Sequence, residues 1–354
     1  MIIKNYFIVG VMSGTSLDGI DLAYIQFSIS ENDYDYSILK AETICYSDEW
    51  IEILRKAIHY SDLDLKMLNK EYTEYLSSTI SNFIKINKLD KIDAIGSHGH
   101  TIKHRPDLGY TLQIGNLPSI KQYLPYPIIC DFRVQDVDLG GQGAPLVPIG
   151  DELLFAPYTY CLNLGGFSNI SFNQHSKRVA FDLSPVNTVL NYYANQLGLP
   201  YDDKGINARY GDLNKELLND LNALEFYSKP YPKSLGLEFV QSTVLPLIES
   251  YDIDIIDKLR TFTEHIAIQI ANGLPTKSGK LLITGGGAYN DFLIELLRNL
   301  LPNVEIVIPD TLTIEFKEAL IFGFLALLRM QGKFNVLASV TGAKQDHSSG
   351  VIYL

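Results

Sequence analysis

Residues 6–27 read YFIVGVMSGTSLDGIDLAYIQF, and this stretch decides how the rest of the chain is interpreted. The apolar run over residues 6–12 predicts a strand, and the run over residues 20–27 predicts its return strand. The turn between them, residues 13–19, is rich in small residues and contains the carboxylate of Asp18. Glycine lets backbone N–H groups approach an anion closely, and successive amides form an anion-binding nest. The stretch therefore predicts a hairpin whose turn is able to bind phosphate.

A second hairpin of the same kind follows later in the chain. Residues 158–164 predict a strand, residues 165–169 (GGFSN) a glycine turn, and residues 170–172 the return strand. Most glycine turns are only tight hairpins, so one such turn is weak evidence for a ligand. Two of them on duplicated halves form a more specific pattern.

The remainder of each half supports the duplication. Helical spacing of apolar residues is followed in both halves by a short buried strand, which we expect to end in a glycine turn. The helical segments are 49–90 in the first half and 186–197, 212–222 and 256–273 in the second; the strands are 92–95 and 280–284, and the expected turns are 96–101 and 285–287.

Proline and glycine cluster over residues 125–150, which predicts a crossing between domains. We expect an N-terminal domain over residues 1–131 and a C-terminal domain over residues 132–354. The apolar helix predicted over residues 314–330 is expected to be buried and to pack back across the interface.

Composition excludes several classes of protein. The 354 residues have 46% hydrophobic content and a net charge of −12, so neither a disordered chain nor a general binder of nucleic acid or anionic membrane is expected. A small anionic substrate stays possible, because one local arginine can bind it. The three cysteines are odd in number and widely spaced, so no disulfide framework is expected. The longest apolar run is well below the ~20 residues of a membrane span, and the first residues lack a signal-cleavage site, so we expect a cytoplasmic protein.

Familiar catalytic motifs are missing from the sequence. There is no GxxxxGK[ST] loop, no GxSxG elbow, no HExxH pair and no GxGxxG turn between a strand and a helix. Opposed phosphate-binding hairpins on duplicated domains are instead typical of ATPases of the actin, hexokinase and Hsp70 class. The fold class we predict is α/β, with two duplicated actin/hexokinase-like (ribonuclease H-like) domains flanking an interdomain ATP cleft.

The motifs, taken in order, resemble those of the anhydro-N-acetylmuramic acid kinase family over essentially the whole chain. The matching blocks are VMSGTSLDGID (11–21), GSHGHT (96–101), LQIG (112–115), DFR (131–133), GGQGAPLVP (140–148), LGGFSN (164–169), Phe181-Asp182, Pro185 with Asn187, GGG (285–287), KEA (317–319) and TGA (341–343).

The resemblance implies an ATP- and magnesium-dependent kinase acting on 1,6-anhydro-N-acetylmuramic acid, a small sugar from cell-wall recycling. It implies that the enzyme opens the anhydro ring while phosphorylating O6, giving N-acetylmuramic acid 6-phosphate and ADP. Asp182 is then the general base that deprotonates the attacking water. A homodimer is a further implication of the resemblance.

The resemblance also assigns ligand-binding roles to particular residues. Nucleotide is expected at Gly14, Thr15, Ser16, Leu17, Asp18, Gly19, Asp21, Gly165, Gly166, Asn169, Gly285, Gly286 and Gly287, with magnesium held through ATP at Asp18. Sugar is expected at Ser97, His98, Gln113, Arg133, Gln142, Asn187 and Glu318.

Several of these side chains also have a purely structural explanation that requires no ligand. A lone aspartate such as Asp182 is commonly a turn or helix cap, and a histidine such as His98 is commonly a satisfied core residue. Arg133 matches a carboxylate through two parallel hydrogen bonds, and we take that carboxylate as the lactyl group of the sugar. The alternative is a salt bridge to Asp131 or Asp136. Gln142 and Asn187 are equally suited to fastening loops, and Glu318 to a helix start.

The sequence departs from the family pattern at three places. Ser184-Pro185-Val186-Asn187 stands where the family usually has Gly-Pro-Gly-Asn, His100 where glutamine is common, and the segment 314–317 is unusual. The first departure favours an alternative, a nucleotide-binding regulatory protein of the same fold with altered catalysis. A kinase for a different sugar is a third possibility.

Overall fold

The computed structural model describes residues 3–14, 16–31 and 33–354. Thr15, one of the expected nucleotide-binding residues, lies outside the described residues. The chain divides into two compact units, one formed by residues up to Leu154 together with Phe316–Leu354, and the other by Phe155–Glu315. Each unit is built on one mixed β-sheet with helices, so the predicted α/β class with two sheets is confirmed.

The first unit has a seven-stranded sheet with the order β12-β6-β4-β1-β2-β3, and β5 extends β4 as a hairpin. β1, β2 and β3 are antiparallel neighbours, whereas β4 lies parallel to β1 and β6 parallel to β4. The strands are β1 (Lys4–Ser13), β2 (Gly19–Ser30), β3 (Asp33–Cys45), β4 (Ala94–Arg105), β5 (Tyr110–Ile114), β6 (Ile128–Cys130) and β12 (Val351–Tyr353).

A pair of glycines lets a helix lie directly on this sheet. Gly10 and Gly96 are cross-strand partners, and a Cβ at Gly10 would overlap the carbonyl of Ala319, while one at Gly96 would lie 2.5 Å from the Phe322 carbonyl oxygen. The apolar helix α13 is therefore buried against the first sheet. The helices of this unit are α1 (Asp48–Lys56), α2 (Asp62–Ile86), α3 (Val134–Asp138), α4 (Pro148–Leu153), most of α13 (Thr311–Met330) and α14 (Ala338–Thr341).

The second unit has a five-stranded sheet with the order β11-β10-β7-β8-β9. Here β7, β8 and β9 are antiparallel neighbours, and β10 lies parallel to both β7 and β11. The first sheet follows the same scheme, so the predicted duplication is visible in strand order and direction. The strands are β7 (Tyr160–Leu164), β8 (Phe167–Gln174), β9 (Lys177–Pro185), β10 (Gly279–Thr284) and β11 (Val304–Val307).

Helices cover the second sheet and fill its core. α11 contributes Phe262, Ile266 and Ile270, all fully buried, to the apolar cluster of this unit. The helices are α5 (Asn187–Gln196), α6 (Ile206–Tyr210), α7 (Lys215–Asn222), α8 (Glu225–Ser228), α9 (Leu237–Phe239), α10 (Leu245–Glu249), α11 (Ile255–Gly273) and α12 (Asp291–Leu300).

Two expectations about turns differ from the structure. Residues 96–101 are not a turn: β4 runs through them, because its second half pairs with β5 after the first half has paired with β1 and β6. Gly99, at φ +74°, accommodates the bend within the strand. In the second hairpin, only Gly165 and Gly166 lie between the strands, since β8 already begins at Phe167.

The units also divide the chain differently from the expected boundary after residue 131. The first unit continues to Leu154, and the chain returns to it at Phe316, where α13 has a kink at φ −110° and ψ 16°. The return is stabilised by the contact of α13 with Gly10 and Gly96, and by β12 pairing with β6. Across the described residues, no helix is long and apolar enough to cross a membrane.

Candidate functional site

A row of polar residues lies across the second sheet. Thr284, Asn163, Asn169 and Asp182 are directly paired residues on four neighbouring strands, β10, β7, β8 and β9. Directly paired residues project to the same face of a sheet. Asn169 and Asp182 are therefore brought together as candidate site residues, and Asn163 joins them although the sequence analysis did not select it.

Asp182 is half-buried, and hydrogen bonds hold both its carboxylate and its backbone. Its Oδ2 accepts a 2.8 Å hydrogen bond from the Leu235 amide, and its own backbone N–H donates to the Lys233 carbonyl at 3.0 Å. Burial raises the pKa of Asp182, and the Leu235 hydrogen bond opposes that rise. A carboxylate with a raised pKa is a better proton acceptor than an ordinary aspartate, which suits it to general-base chemistry.

The glycine turns of the second unit meet at the start of α5. The Thr188 hydroxyl donates to the Gly166 carbonyl at 2.8 Å, and the Asn187 side chain donates to the Leu164 carbonyl at 3.4 Å. A Cβ at Gly285 would lie 2.6 Å from Asn163 Oδ1, and Gly285 has φ +81°. The structure thus groups Gly165, Gly166, Asn187 and the segment 285–287 around the end of β7.

The departure at residues 184–187 is accommodated without glycine. Val186 is fully buried with φ −130°, and Ser184 is fully buried with its backbone N–H donating to the Ser168 hydroxyl at 3.0 Å. Neither residue has a positive φ. L-residues are therefore compatible with this backbone path from Asp182 into α5.

Arg133 and His98 form the centre of the candidate site in the first unit. Arg133 Nε donates to His98 Nε2 at 2.8 Å, and its Nη1 donates to the Gly143 carbonyl at 2.6 Å. The other imidazole nitrogen, Nδ1, lies 2.9 Å from the Gly99 carbonyl, so Nδ1 carries the proton and Nε2 accepts. Burial, and next the charge of Arg133, hold the pKa of His98 well below its usual range. His98 is therefore neutral and orients the guanidinium.

The expected alternative for Arg133 was a salt bridge to Asp131 or Asp136. Asp136 instead accepts hydrogen bonds from the Gly143 amide at 2.6 Å and from the Thr341 hydroxyl at 2.7 Å. Arg133 donates one hydrogen from Nε and one from Nη1. Among the described residues, the N–H groups at the end of the guanidinium fork have no protein acceptor. The N–H groups at this end are arranged to bind a carboxylate through two parallel hydrogen bonds.

Glu318 adds an anionic group to the same unit. Glu318 is an exposed residue, yet burial of its carboxyl group by the surrounding protein raises the pKa of that group, and the positive charge of Arg133 opposes the rise. Burial lowers the pKa of Arg133 to about 10, opposed by Glu318 and Asp136, so Arg133 stays charged.

The other residues expected to bind sugar fall into two groups. Gln142 is exposed, and its neighbour Gly143 carries the carbonyl that holds Arg133. Ser97 and Gln113 are buried, and Ser97 Oγ and Gln113 Oε1 have no hydrogen-bond partner. The Gln113 amide donates instead to the Thr111 hydroxyl at 2.8 Å. Gln142 is therefore an exposed side chain, whereas Ser97 and Gln113 each keep one buried polar atom without a protein partner.

The first glycine turn exposes a carboxylate. Asp18 is exposed and accepts a 2.7 Å hydrogen bond from the Ser16 hydroxyl, and Leu17 has φ +61°. Asp21, near the start of β2, accepts a hydrogen bond from the Thr43 hydroxyl at 2.6 Å. A Cβ at Gly19 would lie 2.5 Å from the Ile44 carbonyl oxygen, whereas one at Gly14 would meet nothing closer than the Ser16 hydroxyl at 3.4 Å. Gly19 is thus required by packing, and Gly14 is not.

A buried hydroxyl cluster beneath this turn was not anticipated. Ser13 Oγ lies 2.6 Å from the Tyr46 hydroxyl and 2.8 Å from His100 Nδ1, and the Tyr72 hydroxyl donates to it at 3.1 Å. Burial lowers the pKa of His100 to about 4, so its imidazole is neutral. His100 consequently serves the packing of the turn. Tyr72 lies in the helical segment predicted over residues 49–90, but helical spacing does not indicate a hydroxyl cluster.

Metal-ligand side chains are sparse in the parts of the chain that the structure describes. No group of three or more histidine, cysteine, aspartate or glutamate side chains there is able to hold a metal ion. This pattern differs from a zinc or calcium centre, in which the protein supplies most of the ligands. Magnesium bound to nucleotide takes one or two carboxylates together with phosphate and water, and the exposed Asp18 suits that role.

Solved structures give only loose matches to the whole chain. Component A of (R)-2-hydroxyglutaryl-CoA dehydratase from Acidaminococcus fermentans matches with a TM-score of 0.44 and 13% identity, over 89% of this chain and 95% of that one. A hexokinase from Schistosoma mansoni complexed with glucose matches with a TM-score of 0.37 and 9% identity, over 90% of this chain and 85% of that one. At these scores the likeness supports no inference about the site.

Relatives in sequence are much closer. An anhydro-N-acetylmuramic acid kinase from Aliivibrio fischeri is 36% identical over 98% of both chains, and one from Hydrogenovibrio crunogenus is 34% identical over 98% of this chain and 97% of its own. A third, from Pseudomonas fluorescens, is 35% identical over 98% of each. The family model for anhydro-N-acetylmuramic acid kinase matches residues 5–354. The resemblance seen in the motifs is confirmed, and the chain belongs to the anhydro-N-acetylmuramic acid kinase family.

Proposed function

We propose that this protein phosphorylates 1,6-anhydro-N-acetylmuramic acid with ATP and opens the anhydro ring in the same reaction, giving N-acetylmuramic acid 6-phosphate and ADP in cell-wall recycling. The observation that carries the proposal is the family match over residues 5–354. The geometry of the two units agrees with the demands of this chemistry, which needs a proton acceptor, a carboxylate-binding cation and turns that accept phosphate.

The proton acceptor is Asp182. A water oxygen attacks the anomeric carbon, the bond from that carbon to O6 breaks, and the freed O6 takes the γ-phosphoryl group while the bond from γ-phosphorus to ADP breaks. The water proton passes to the Asp182 carboxylate. This role is supported by the half-buried position of the side chain and by its raised pKa.

Recognition of the sugar is assigned to the first unit. The lactyl group distinguishes a muramic acid from a glucosamine by one carboxylate. The fork of Arg133 is fixed by His98 and Gly143, which leaves its end for that carboxylate. An arginine held in advance loses little side-chain entropy on binding. The carboxylate of the exposed Glu318 is then suited to accept hydrogen bonds from sugar hydroxyls.

Nucleotide binding is assigned to the glycine turns and to the segment 285–287. Gly14 supports this assignment because packing does not require a glycine there, so close approach of a ligand explains it. Bound magnesium would neutralise charge on the transferred phosphoryl group, and Asp18 is the carboxylate that would hold it. Ser16 keeps that carboxylate in place through its 2.7 Å hydrogen bond.

The test is a product analysis in water enriched in oxygen-18. The protein is incubated with ATP, magnesium and the anhydro sugar, and the products are identified by mass spectrometry. We expect ADP and a 6-phosphate that carries the label on the anomeric hydroxyl and not on the phosphate. Label in inorganic phosphate with intact anhydro sugar would contradict the proposal, since it indicates simple ATP hydrolysis.

A substrate panel tests the choice of acceptor. N-acetylmuramic acid and N-acetylglucosamine are offered under the same conditions as the anhydro sugar. Phosphorylation of either at a higher kcat/KM than the anhydro sugar would identify a kinase for a different acceptor. A protein that binds ATP but phosphorylates none of the three sugars would be a regulatory relative.

A further inference from the structure

A loop of irregular structure contacts the backbone and the carboxylate of Asp182. Residues 230–236, with the sequence PYPKSLG, lie between α8 and α9 and form neither helix nor strand; we call this segment the strap. β9 is the edge strand of the second sheet. The strap therefore covers backbone groups of β9 that no other strand pairs with.

Aromatic, hydrogen-bond and cation–π contacts fix the position of the strap. The Tyr231 ring stacks on the Phe181 ring, with centroids 4.8 Å apart and an interplanar angle of 8°. Lys233 Nζ donates to the carbonyls of Phe226 and Tyr227, both at 3.2 Å. The ammonium group also lies 4.7 Å from the centre of the Phe226 ring. The strap is thus attached on one side to β9 and on the other to α8.

Two hydrogen bonds connect this fixed segment to the base. The Asp182 N–H donates to the Lys233 carbonyl at 3.0 Å, and the Leu235 N–H donates to Asp182 Oδ2 at 2.8 Å. Among the described residues, Leu235 is the single hydrogen-bond donor to this carboxylate. One carboxylate oxygen is therefore occupied, and the other, Oδ1, is left to accept a proton.

We propose that the strap is the positioning element of the base: the Leu235 amide fixes Oδ2 so that Oδ1 takes the proton of the attacking water, and Lys233 holds that amide in place. This inference rests on the proposed function, because it takes Asp182 as the base. Lys233 and Leu235 are positioning residues, since they act through the Asp182 carboxylate.

The strap also opposes the effect of burial on the base. Burial favours the protonated form of Asp182, whereas an amide that donates to the carboxylate favours the ionised form. The neighbouring β8 contributes the uncharged Asn169, and the ammonium of Lys233 is engaged by the α8 carbonyls. On α11, which packs on β9 through Gly273 and Leu183, the ionisable groups have other partners. These are the Asp212 amide for Asp257, Glu249 for Lys258, Glu264 for Arg260 and Asn222 for His265.

The experiment removes the amide proton and measures the carboxyl group directly. The pKa of Asp182 is followed by carbon-13 NMR on protein labelled at the aspartate carboxyl carbon, with Asp182→Asn used to assign the signal. In Leu235→Pro, which lacks the N–H, we expect the pKa of Asp182 to rise by about one unit. The acid limb of the kcat–pH profile should move upward by the same amount, with the KM for ATP unchanged.

A second pair of variants covers the case in which proline distorts the strap. Lys233→Met keeps the aliphatic stem but loses the bonds to α8, so we expect a smaller shift in the same direction and a kcat about threefold to tenfold lower. Lys229→Met is the matched control, because Lys229 is exposed and its ammonium pairs with the exposed Glu225. It should keep the parent profile.

Two outcomes separate this inference from the proposed function. An unchanged carboxyl pKa in both Leu235→Pro and Lys233→Met would overturn the role of the strap, whatever the protein phosphorylates. A shifted pKa in a protein that releases no 6-phosphate would support the strap as the element that holds Asp182 and would overturn the proposed function instead.

Discussion

The two units share a sheet plan but carry different chemistry. In the first unit, the guanidinium of Arg133 is fixed by neutral His98 of β4 and interacts electrostatically with the Glu318 carboxylate of α13. In the second, the equivalent region has amides, glycines and one carboxylate, Asp182, held by a loop. The comparison teaches that the duplicated scaffold does not fix the chemistry. The chemistry is determined by the side chains that the scaffold carries and by the segments that hold them.

The difference also separates two tasks. A fixed cation selects a substrate by charge, and its loss is expected to appear in KM. A half-buried carboxylate accepts a proton in the transition state, and its loss is expected to appear in kcat. The following variants test whether the two units divide the work in this way.

The largest effect is expected for Asp182→Asn. The amide keeps the size of the side chain but cannot accept the water proton, so kcat should fall about a thousandfold. Nucleotide binding measured by calorimetry and the melting temperature should stay near those of the parent. Asp252→Asn, the same change at an exposed aspartate, is the control. A kcat within a few-fold of the parent would show that the base lies elsewhere.

Arg133→Lys should have the next largest effect, and mainly on KM. Lysine keeps the charge but loses the planar fork, so the KM for the anhydro muramic sugar should rise about tenfold to a hundredfold. The anhydro glucosamine, which lacks the lactyl carboxylate, should be affected far less. Arg105→Lys, at an exposed arginine paired with Asp107, is the control. Equal losses with both sugars would mean that Arg133 does not bind the lactyl group.

The smallest effects compare glycines of the two units. Gly14→Ala finds room in the protein, so we expect an unchanged melting temperature and a KM for ATP that rises several-fold. Gly285→Ala meets Asn163 and has φ +81°, so it should destabilise the fold by about 1–3 kcal/mol in thermal unfolding. The reverse result, a stability loss at Gly14 with normal nucleotide binding, would remove the support that Gly14 gives to a phosphate-binding turn.

Local patterns predicted much of the fold. The apolar runs on both sides of each glycine turn are paired strands, and the apolar helix predicted over residues 314–330 is present as Thr311–Met330. β3 was missed because it is a largely exposed edge strand with charged residues. The return of α13 to the first unit depends on Gly10 and Gly96, whose pairing is a long-range property without periodicity.

The site was harder to predict than the fold. Motifs selected Arg133 and His98, but their 2.8 Å contact joins residues 35 positions apart, while the nearer Asp136 is engaged elsewhere. The strap has no apolar period and no motif that was recognised, so its contact with Asp182 was not expected. Ser97 and Gln113 belong to matching blocks, and their sugar-binding role stays a prediction; no pattern in the sequence indicated that both side chains are buried.

The close approach of α13 to Gly10 has a consequence for protein engineering. Ala319, whose carbonyl lies against that glycine, directly follows Glu318, so at this point the helix backbone has no side chain between it and the sheet that could be shortened to move the carboxylate. Redesign for a new acceptor should therefore begin at Arg133, because the His98 side chain that orients it is open to substitution, whereas its other partner is the Gly143 backbone carbonyl.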